Sequence, residues 1–162
     1  MPTTTTTTTG VSLPFAYRLF FLLIEPIATA VGAFYAHFRP DEYLHLTHSA
    51  SAPSSPIPLG TEIAMSQLGN LYLAFALSEA VVLRSTADLR VWRAFLFVLL
   101  LADVGHLYTV RALGPSIYYD VFAWNAIDWG NIPYVYFAAA VRIAFLSGVG
   151  MANKAPATKK RV

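Results

Sequence analysis

The sequence contains no cysteine among its 162 residues, and few of its residues are charged. The missing thiol excludes disulfide bonds, thiolate metal sites and a cysteine nucleophile. Charged residues make up only 12% of the chain, which is too sparse for a nucleic-acid-binding surface. The sequence also has neither a glycine-rich phosphate loop nor a serine flanked by the glycines of a hydrolase elbow. No motif therefore supports nucleotide binding or nucleophilic hydrolysis.

Apolar residues, by contrast, are abundant, at 56% of the chain with a mean hydropathy of +0.53. A soluble domain of this size cannot hide so much apolar surface. Four stretches each hold about 20 mostly apolar residues, the number that about 30 Å of hydrocarbon requires. Because backbone inside a bilayer satisfies its own hydrogen bonds, we predict an all-α membrane protein with four transmembrane helices. These helices are expected at residues 15–36, 64–83, 93–113 and 132–150.

The segments around these spans complete the predicted organisation. The threonine run at residues 3–9 indicates a disordered tail over residues 1–14, before a four-helix domain at 15–150. Residues 151–162 form a basic tail. The connection at 114–131 is rich in aromatic residues that suit a membrane surface, so we expect a short interfacial helix before the last span.

The distribution of lysine and arginine predicts the orientation in the membrane. Eight of these residues flank one side: Arg18, Arg84, Arg90, Arg93, Lys154, Lys159, Lys160 and Arg161. Only Arg39 and Arg111 flank the other side. By the positive-inside rule, both termini are expected in the cytosol. A cleaved signal peptide is an alternative interpretation of the first span, but its apolar run continues past Glu25 and Pro26 and favours a retained helix.

The basic tail also resembles an address signal. Lys159 and Lys160 stand fourth and third from the end, as in the dilysine retrieval signal of endoplasmic reticulum membrane proteins. The alternative is a basic tail attracted to anionic lipid headgroups. We favour a multi-pass protein of the endoplasmic reticulum.

Ionisable residues inside the spans are the strongest functional signal. Glu25, Asp103 and Arg142 lie near the middle of their predicted spans, and Glu79 lies about one turn inside the cytosolic end of the second. An uncompensated charge in hydrocarbon costs several kcal/mol, so such residues are usually paired or functional. Arg142 is expected to pair with Asp103, Glu25 or both.

Three carboxylates facing one guanidinium leave an excess of acid. A carboxyl group without a cationic partner in a low-dielectric medium favours its protonated form. His106, three residues after Asp103, shares a helix face with it. The candidate catalytic residues are therefore Glu25, Asp103 and His106. The candidate ligand-binding residues are Gln67, Asn70, Glu79, Trp124, Asp128, Trp129 and Arg142.

Two weaker patterns concern the first half of the chain. Asp41, His45 and His48 have a spacing that could face a metal ion, but surface histidines are the better interpretation, and we predict neither metal nor cofactor. Pro26 has no backbone N–H, so it is expected to free the carbonyl of Leu22 and to bend the first helix.

Four blocks of the sequence carry a resemblance to a known family: RLFFLLIEP, AHFRPDEYLHLTHSA, ADVGHLY and WNAIDWGN. The chain resembles, over about residues 12–150, an uncharacterised family of small four-span fungal membrane proteins, a domain-of-unknown-function group. The resemblance implies an ascomycete-type source. In size, span number and buried acids the chain is also similar to emopamil-binding-type sterol isomerases and small fungal membrane terpene cyclases, in which buried acids protonate a double bond.

Three functions remain open at this level. The first is binding of a sterol-like or isoprenoid-like ligand at the intramembrane polar residues. The second is acid-base isomerisation or cyclisation of such a lipid, with the proton donated by Glu25 or Asp103 and relayed by His106, while Trp124 or Trp129 caps the cavity. The third is a non-enzymatic subunit or assembly factor whose buried charges hold helices together. The expected partners are the bilayer, the lipid ligand, and a second copy or another membrane protein.

Overall fold

The structure is a computed structural model that describes residues 13–151, all of whose regular elements are helical. Helix α1 spans Phe15–Phe38 and contains a π-helical turn at Phe20–Ile24. The following elements are α2 (Pro40–His48), α3 (Leu59–Ser85), α4 (Leu89–Thr109), α5 (Ala126–Asn131) and α6 (Pro133–Leu146). Short 3₁₀ turns occur at Ser49–Ser51, Val110–Leu113 and Pro115–Tyr118. The threonine run and the dilysine tail lie outside the described residues.

Three of the helical segments are long and apolar enough to cross a membrane, which confirms the first three predicted spans. They are Phe15–Phe38, Leu59–Ser85 and Leu89–Leu113, with 24, 27 and 25 residues. Helix α3 begins directly after Pro58, five residues before the predicted start. The prediction missed its first turn because the polar residues there lower the local hydropathy. Many large apolar side chains on these helices face outward, as lipid contact requires.

A fourth spanning helix is not shown. Helix α6 has 14 residues, about 21 Å at 1.5 Å per residue, which is shorter than the roughly 30 Å hydrocarbon layer. The predicted span at 132–150 is not one continuous helix, because it is interrupted near both of its ends. Pro133 begins a new helix after α5, and Gly148 and Gly150 adopt positive φ angles of 80° and 72° after Leu146.

The two ends of the bundle are closed by different contacts. At one end, the Trp92 ring stacks on Phe145 at 5.8 Å, and the hydroxyl of Tyr17 donates to the carbonyl of Val149 at 2.9 Å. These contacts join the starts of α1 and α4 to the end of α6. At the other end, the amide of Asn125 donates to the carbonyl of Leu46 at 2.7 Å and ties α5 to α2.

The predicted short helix before the last helix is present as α5, but it covers only six residues. Asn125 and Asp128 form a capping box. The Asn125 side chain accepts the backbone N–H of Asp128, and the Asp128 side chain accepts the backbone N–H of Asn125. Because the helix starts at this cap, the aromatic residues before it lie in turns.

Candidate functional site

Four charged side chains from four helices meet inside the bundle. They are Glu25 on α1, Glu79 on α3, Asp103 on α4 and Arg142 on α6, and we call them the charge cluster. Arg142 Nη1 donates to Asp103 Oδ2 at 2.5 Å, and Arg142 Nη2 donates to Glu25 Oε1. The predicted pairing of Arg142 is therefore confirmed with both carboxylates. The side chains of Glu25, Glu79 and Arg142 are 6%, 2% and 3% exposed, against 13% for Asp103.

Glu79 belongs to the cluster without a hydrogen bond to Arg142. Its Oε1 lies 3.6 Å from Arg142 Nη2, which is too long for a hydrogen bond, and its carboxyl group adjoins that of Glu25. The sequence placed Glu79 in a separate layer, one turn from the end of its span. Helix α3 continues to Ser85, two residues past the predicted span. Glu25, Asp103 and Arg142 lie at the same depth as Glu79.

The backbone of α1 is modified immediately before Glu25. The π-helical turn at Phe20–Ile24 ends at Glu25, and Pro26 follows with no N–H to donate. The carbonyl of Leu22 accepts a hydrogen bond from Arg84 Nη2 at 2.5 Å instead. The predicted freeing of this carbonyl is confirmed, and Arg84 on α3 satisfies it. Wide π turns of this kind are frequent at functional sites.

Several polar atoms in and beside the cluster have no hydrogen-bond partner within the described part of the chain. They are Glu25 Oε2, Glu79 Oε1, Arg142 Nε and the hydroxyl of Tyr134. Tyr134 lies on α6, the helix that carries Arg142, about two turns before it. Buried polar atoms are almost always hydrogen-bonded in proteins. Acceptors and donors are therefore available together at this one place.

Tyr134 was not among the residues predicted from the sequence. The available signal was a phenol hydroxyl inside the predicted span at 132–150. Tyrosine is common near membrane surfaces, and this made its position near the end of a span unremarkable.

His106 lies one turn from Asp103 on α4 and borders the cluster without joining its ion pairs. It sits beside the backbone of Asn131, and its Nε2 is buried without a hydrogen-bond partner among residues 13–151. Asp103 and His106 therefore lie about one turn apart on the same face of α4, as their three-residue spacing predicted.

The structure does not bring the remaining predicted ligand-binding residues to the cluster. Gln67 and Asn70 lie on an exposed face of α3, in an open groove of about 360 Å³. Asp128 Oδ2 accepts the backbone N–H of Asn125 in the α5 cap. The Trp124 indole donates to the carbonyl of Ile117 at 2.8 Å, and Trp129 packs edge-on against it with 53% of its surface exposed. These three residues build the segment before α6.

Two further polar contacts lie away from the charge cluster. The hydroxyls of Tyr43 and Tyr72 lie 3.2 Å apart, and burial raises the pKa of Tyr43 above its usual range. Hydrogen bonds from the side chain and backbone of Arg90 hold the pKa of Asp88, the N-cap of α4, below its usual value. Among residues 13–151, no group of three His, Asp or Glu side chains is arranged to hold a metal ion, and this includes the histidines of α2.

The fold and the cluster define a class of protein: an all-helical membrane protein whose helices enclose interacting ionisable side chains. The chain belongs to the family described as "Domain of unknown function (DUF7704)", whose model matches residues 10–152. Neither the curated proteins nor the solved structures gave a match.

Proposed function

We propose that this membrane protein binds a lipophilic ligand of sterol or isoprenoid type, with the polar end of the ligand at the charge cluster. The observation that carries the proposal is a group of buried atoms at Glu25, Glu79, Tyr134 and Arg142 that have no hydrogen-bond partner in the described part of the chain. A ligand site in protein is typically apolar with a few convergent polar groups, and a helical bundle in lipid supplies the apolar walls.

A hydroxyl group fits this arrangement best. It donates one hydrogen bond, which Glu25 Oε2 or Glu79 Oε1 can accept, and it accepts another, which Tyr134 or Arg142 Nε can donate. Sterols and isoprenoid alcohols carry one hydroxyl on an apolar body. Asp103 is the most exposed member of the cluster, so it marks the side from which the ligand approaches.

Acid-base chemistry on such a lipid is the second candidate. With all groups ionised, three carboxylates and one guanidinium leave a net charge of −2 (+1 − 3) in a buried place, which is costly, so at least one carboxyl group holds a proton. A carboxylic acid at Glu25 or Asp103 donates this proton to a carbon-carbon double bond, and His106 relays a proton in the row along α4. The likeness to sterol isomerases and terpene cyclases belongs to this candidate.

A non-enzymatic subunit is the third candidate. Arg142 joins three other helices through the cluster, and a polar contact that holds helices together needs no ligand. Under this candidate, neutralising one acid harms folding rather than any ligand complex.

The arrangement in the membrane completes the proposal. Helices α5 and α6 together cover residues 126–146, and they run from the contact with α2 to the contact with the start of α1. We propose that this pair crosses the membrane as the fourth span, although α6 alone is too short. The proposed location is the endoplasmic reticulum, with both termini in the cytosol, on the basis of the arginine and lysine distribution and the dilysine tail.

The test is native mass spectrometry of the purified full-length protein, incubated with ergosterol or with farnesol. Ergosterol suits the fungal source that the sequence resemblance implies. Tyr134→Phe removes only a hydroxyl that has no partner among residues 13–151, so folding is expected to be unchanged. Loss of one hydrogen bond to the ligand weakens binding about 2- to 10-fold. Tyr108→Phe is the matched control, because Tyr108 is 62% exposed.

Asp103→Asn separates the three candidates. A ligand site predicts a defined adduct on the wild type that weakens in Tyr134→Phe and Asp103→Asn but not in Tyr108→Phe. An acid catalyst predicts a folded Asp103→Asn protein without turnover of the bound lipid. A structural cluster predicts poor folding of Asp103→Asn, and a well-folded wild type that carries only bulk phospholipid would contradict the ligand proposal.

A further inference from the structure

The connection between α4 and α5, residues 114–125, is held against the helices on both sides of it. Gly114 begins the connection with a φ angle of 93°, a backbone conformation that favours glycine. The hydroxyl of Tyr118 then donates to the carbonyl of Leu107 on α4 at 2.7 Å. The carbonyl of Tyr118 accepts the hydroxyl of Tyr136 on α6 at 3.3 Å. The connection therefore folds back beside α4 and α6.

These contacts fix the depth of the connection relative to the spanning helices. Leu107 lies six residues before the end of the candidate span Leu89–Leu113, about 9 Å at 1.5 Å per residue. Because a tyrosine side chain extends away from its backbone, the backbone of Tyr118 lies beside the last turns of this span. At the other end of the connection, Asn125 bonds to the carbonyl of Leu46 on α2, the helix that directly follows the first span. Both ends of the connection therefore lie where candidate spans end, at a membrane surface.

The turn inside the connection is closed by hydrogen bonds of its own. The indole of Trp124 donates to the carbonyl of Ile117 at 2.8 Å. The backbone N–H of Asp120 donates to the carbonyl of Ser116 at 2.9 Å, and that of Ala123 donates to the carbonyl of Asp120 at 3.1 Å. Backbone groups that are bonded internally enter an apolar medium at lower cost than free ones.

Phe122 lies in the middle of this turn and points away from the protein. It is 99% exposed, the highest value for a large apolar side chain among residues 13–151. Its neighbours Tyr119 and Val121 are 70% and 44% exposed. Exposing a phenylalanine to water is unfavourable, and aromatic residues are enriched where a membrane meets water. Asp120 is the one charged residue in the sequence from 114 to 125.

We propose that this turn is a membrane anchor, in which Phe122, with Tyr119 and Val121 beside it, inserts into the leaflet on the side where α4 ends. The sequence predicted an interfacial helix in this connection, whereas the exposed apolar side chains lie in a turn before α5. Lipid fits better than a protein partner, because the turn lies at the depth where spans end. Three side chains also cover much less than the roughly 800 Å² per partner that a standard protein interface buries. The anchor is independent of the ligand proposed for the charge cluster.

The test attaches a nitroxide spin label to single cysteines, for which the natural chain offers no background because it has none. The full-length protein is reconstituted into phosphatidylcholine vesicles, with a water-soluble nickel chelate on both sides. Oxygen concentrates in hydrocarbon whereas the chelate stays in water, and power-saturation EPR compares their collisions with the label. The oxygen-to-nickel ratio is expected to be several-fold higher for Phe122→Cys than for Asp120→Cys. Val104→Cys is the lipid-facing reference, because Val104 lies on spanning helix α4 and is 60% exposed.

A second experiment tests whether the Phe122 side chain itself holds the turn in the membrane. The label is placed at the exposed neighbour with Ala123→Cys, and Phe122→Ser is added. Because Phe122 is fully exposed, folding is expected to be unchanged, and the oxygen-to-nickel ratio at 123 should fall several-fold. An unchanged ratio at 123 would overturn the proposal. So would equal ratios at 120 and 122, which would place the turn in water, or shielding of position 122 from both reagents, which would mean that a protein covers it.

Discussion

Arg142 donates to Asp103 at 2.5 Å although 39 residues separate them, and this bond joins the two halves of an antiparallel helix pair, α4 and α6. The same guanidinium reaches Glu25 on α1, so one side chain ties three helices at one level. Because Arg142 is almost fully buried, its charge depends on these carboxylates for compensation, and they depend on it. The cluster is therefore a structural junction of the bundle.

Replacing Arg142 is expected to destabilise the protein strongly. Arg142→Met leaves three buried acids without a cation, and breaking a buried ion pair by removing one partner costs roughly 3–5 kcal/mol. The measurement is thermal unfolding of the detergent-purified protein, followed by tryptophan fluorescence. Arg111→Met is the control, because Arg111 is exposed and its guanidinium donates to the carbonyl of Tyr108 and lies over the Tyr108 ring, away from the charge cluster. Neutralising the acids in Arg142→Met with Glu25→Gln and Asp103→Asn should restore part of the loss. No restoration would contradict the assignment of the loss to unpaired charge.

The aromatic end of the bundle is expected to carry much of the packing energy. Trp92 is 2% exposed, stacks on Phe145 and donates its indole N–H to the carbonyl of Thr86 at 3.1 Å. Trp92→Ala should cost roughly 3–5 kcal/mol of unfolding free energy, the usual range for a buried tryptophan. Denaturant titration with circular dichroism measures this. Phe97 lies on the same helix and is 51% exposed, so Phe97→Ala should cost much less. Equal losses of unfolding free energy in the two variants would show that α4 is not packed as described.

The sequence predicts the helical class, three of the spans and the partners of Arg142, because each depends on composition or on a rule about charge in lipid. The sequence does not reveal which polar residues of α3 face the interior of the bundle and which face outward. Glu79 and Asn70 are both polar residues of α3, and only contact with the other helices decides that Glu79 faces inward while Asn70 faces outward. The division at Ile132 was also missed, since hydropathy continues across Pro133 whereas the helix does not.

Acid is expected to weaken the start of α4 through Asp88. Hydrogen bonds from Arg90 lower the pKa of Asp88 below its ordinary value of 3.8. A carboxyl group with a lowered pKa contributes stability that is complete above its unfolded pKa and lost as the pH falls through its folded pKa. Hydrogen exchange of the first turn of α4 at pH 6 and at pH 3 measures this loss. Asp88→Asn should remove most of the difference between the two pH values, and an unchanged difference would assign it to another group.

The bond between Arg84 and the carbonyl of Leu22 is expected to depend on Pro26. Arg84→Ala leaves this carbonyl without its side-chain donor in the π-helical turn, and losing such a hydrogen bond costs about 0.5–1.5 kcal/mol. Pro26→Ala provides an N–H within α1 that can serve the same carbonyl, so Arg84→Ala should cost less in a Pro26→Ala background than in the wild type. A double-mutant cycle on the unfolding free energies measures this coupling. Arg93→Ala, on the exposed side of α4, is the control. Additive effects of Pro26→Ala and Arg84→Ala would show that the proline does not create the need for Arg84. Coupling would explain why a cation at the end of α3 lies beside the turn that positions Glu25.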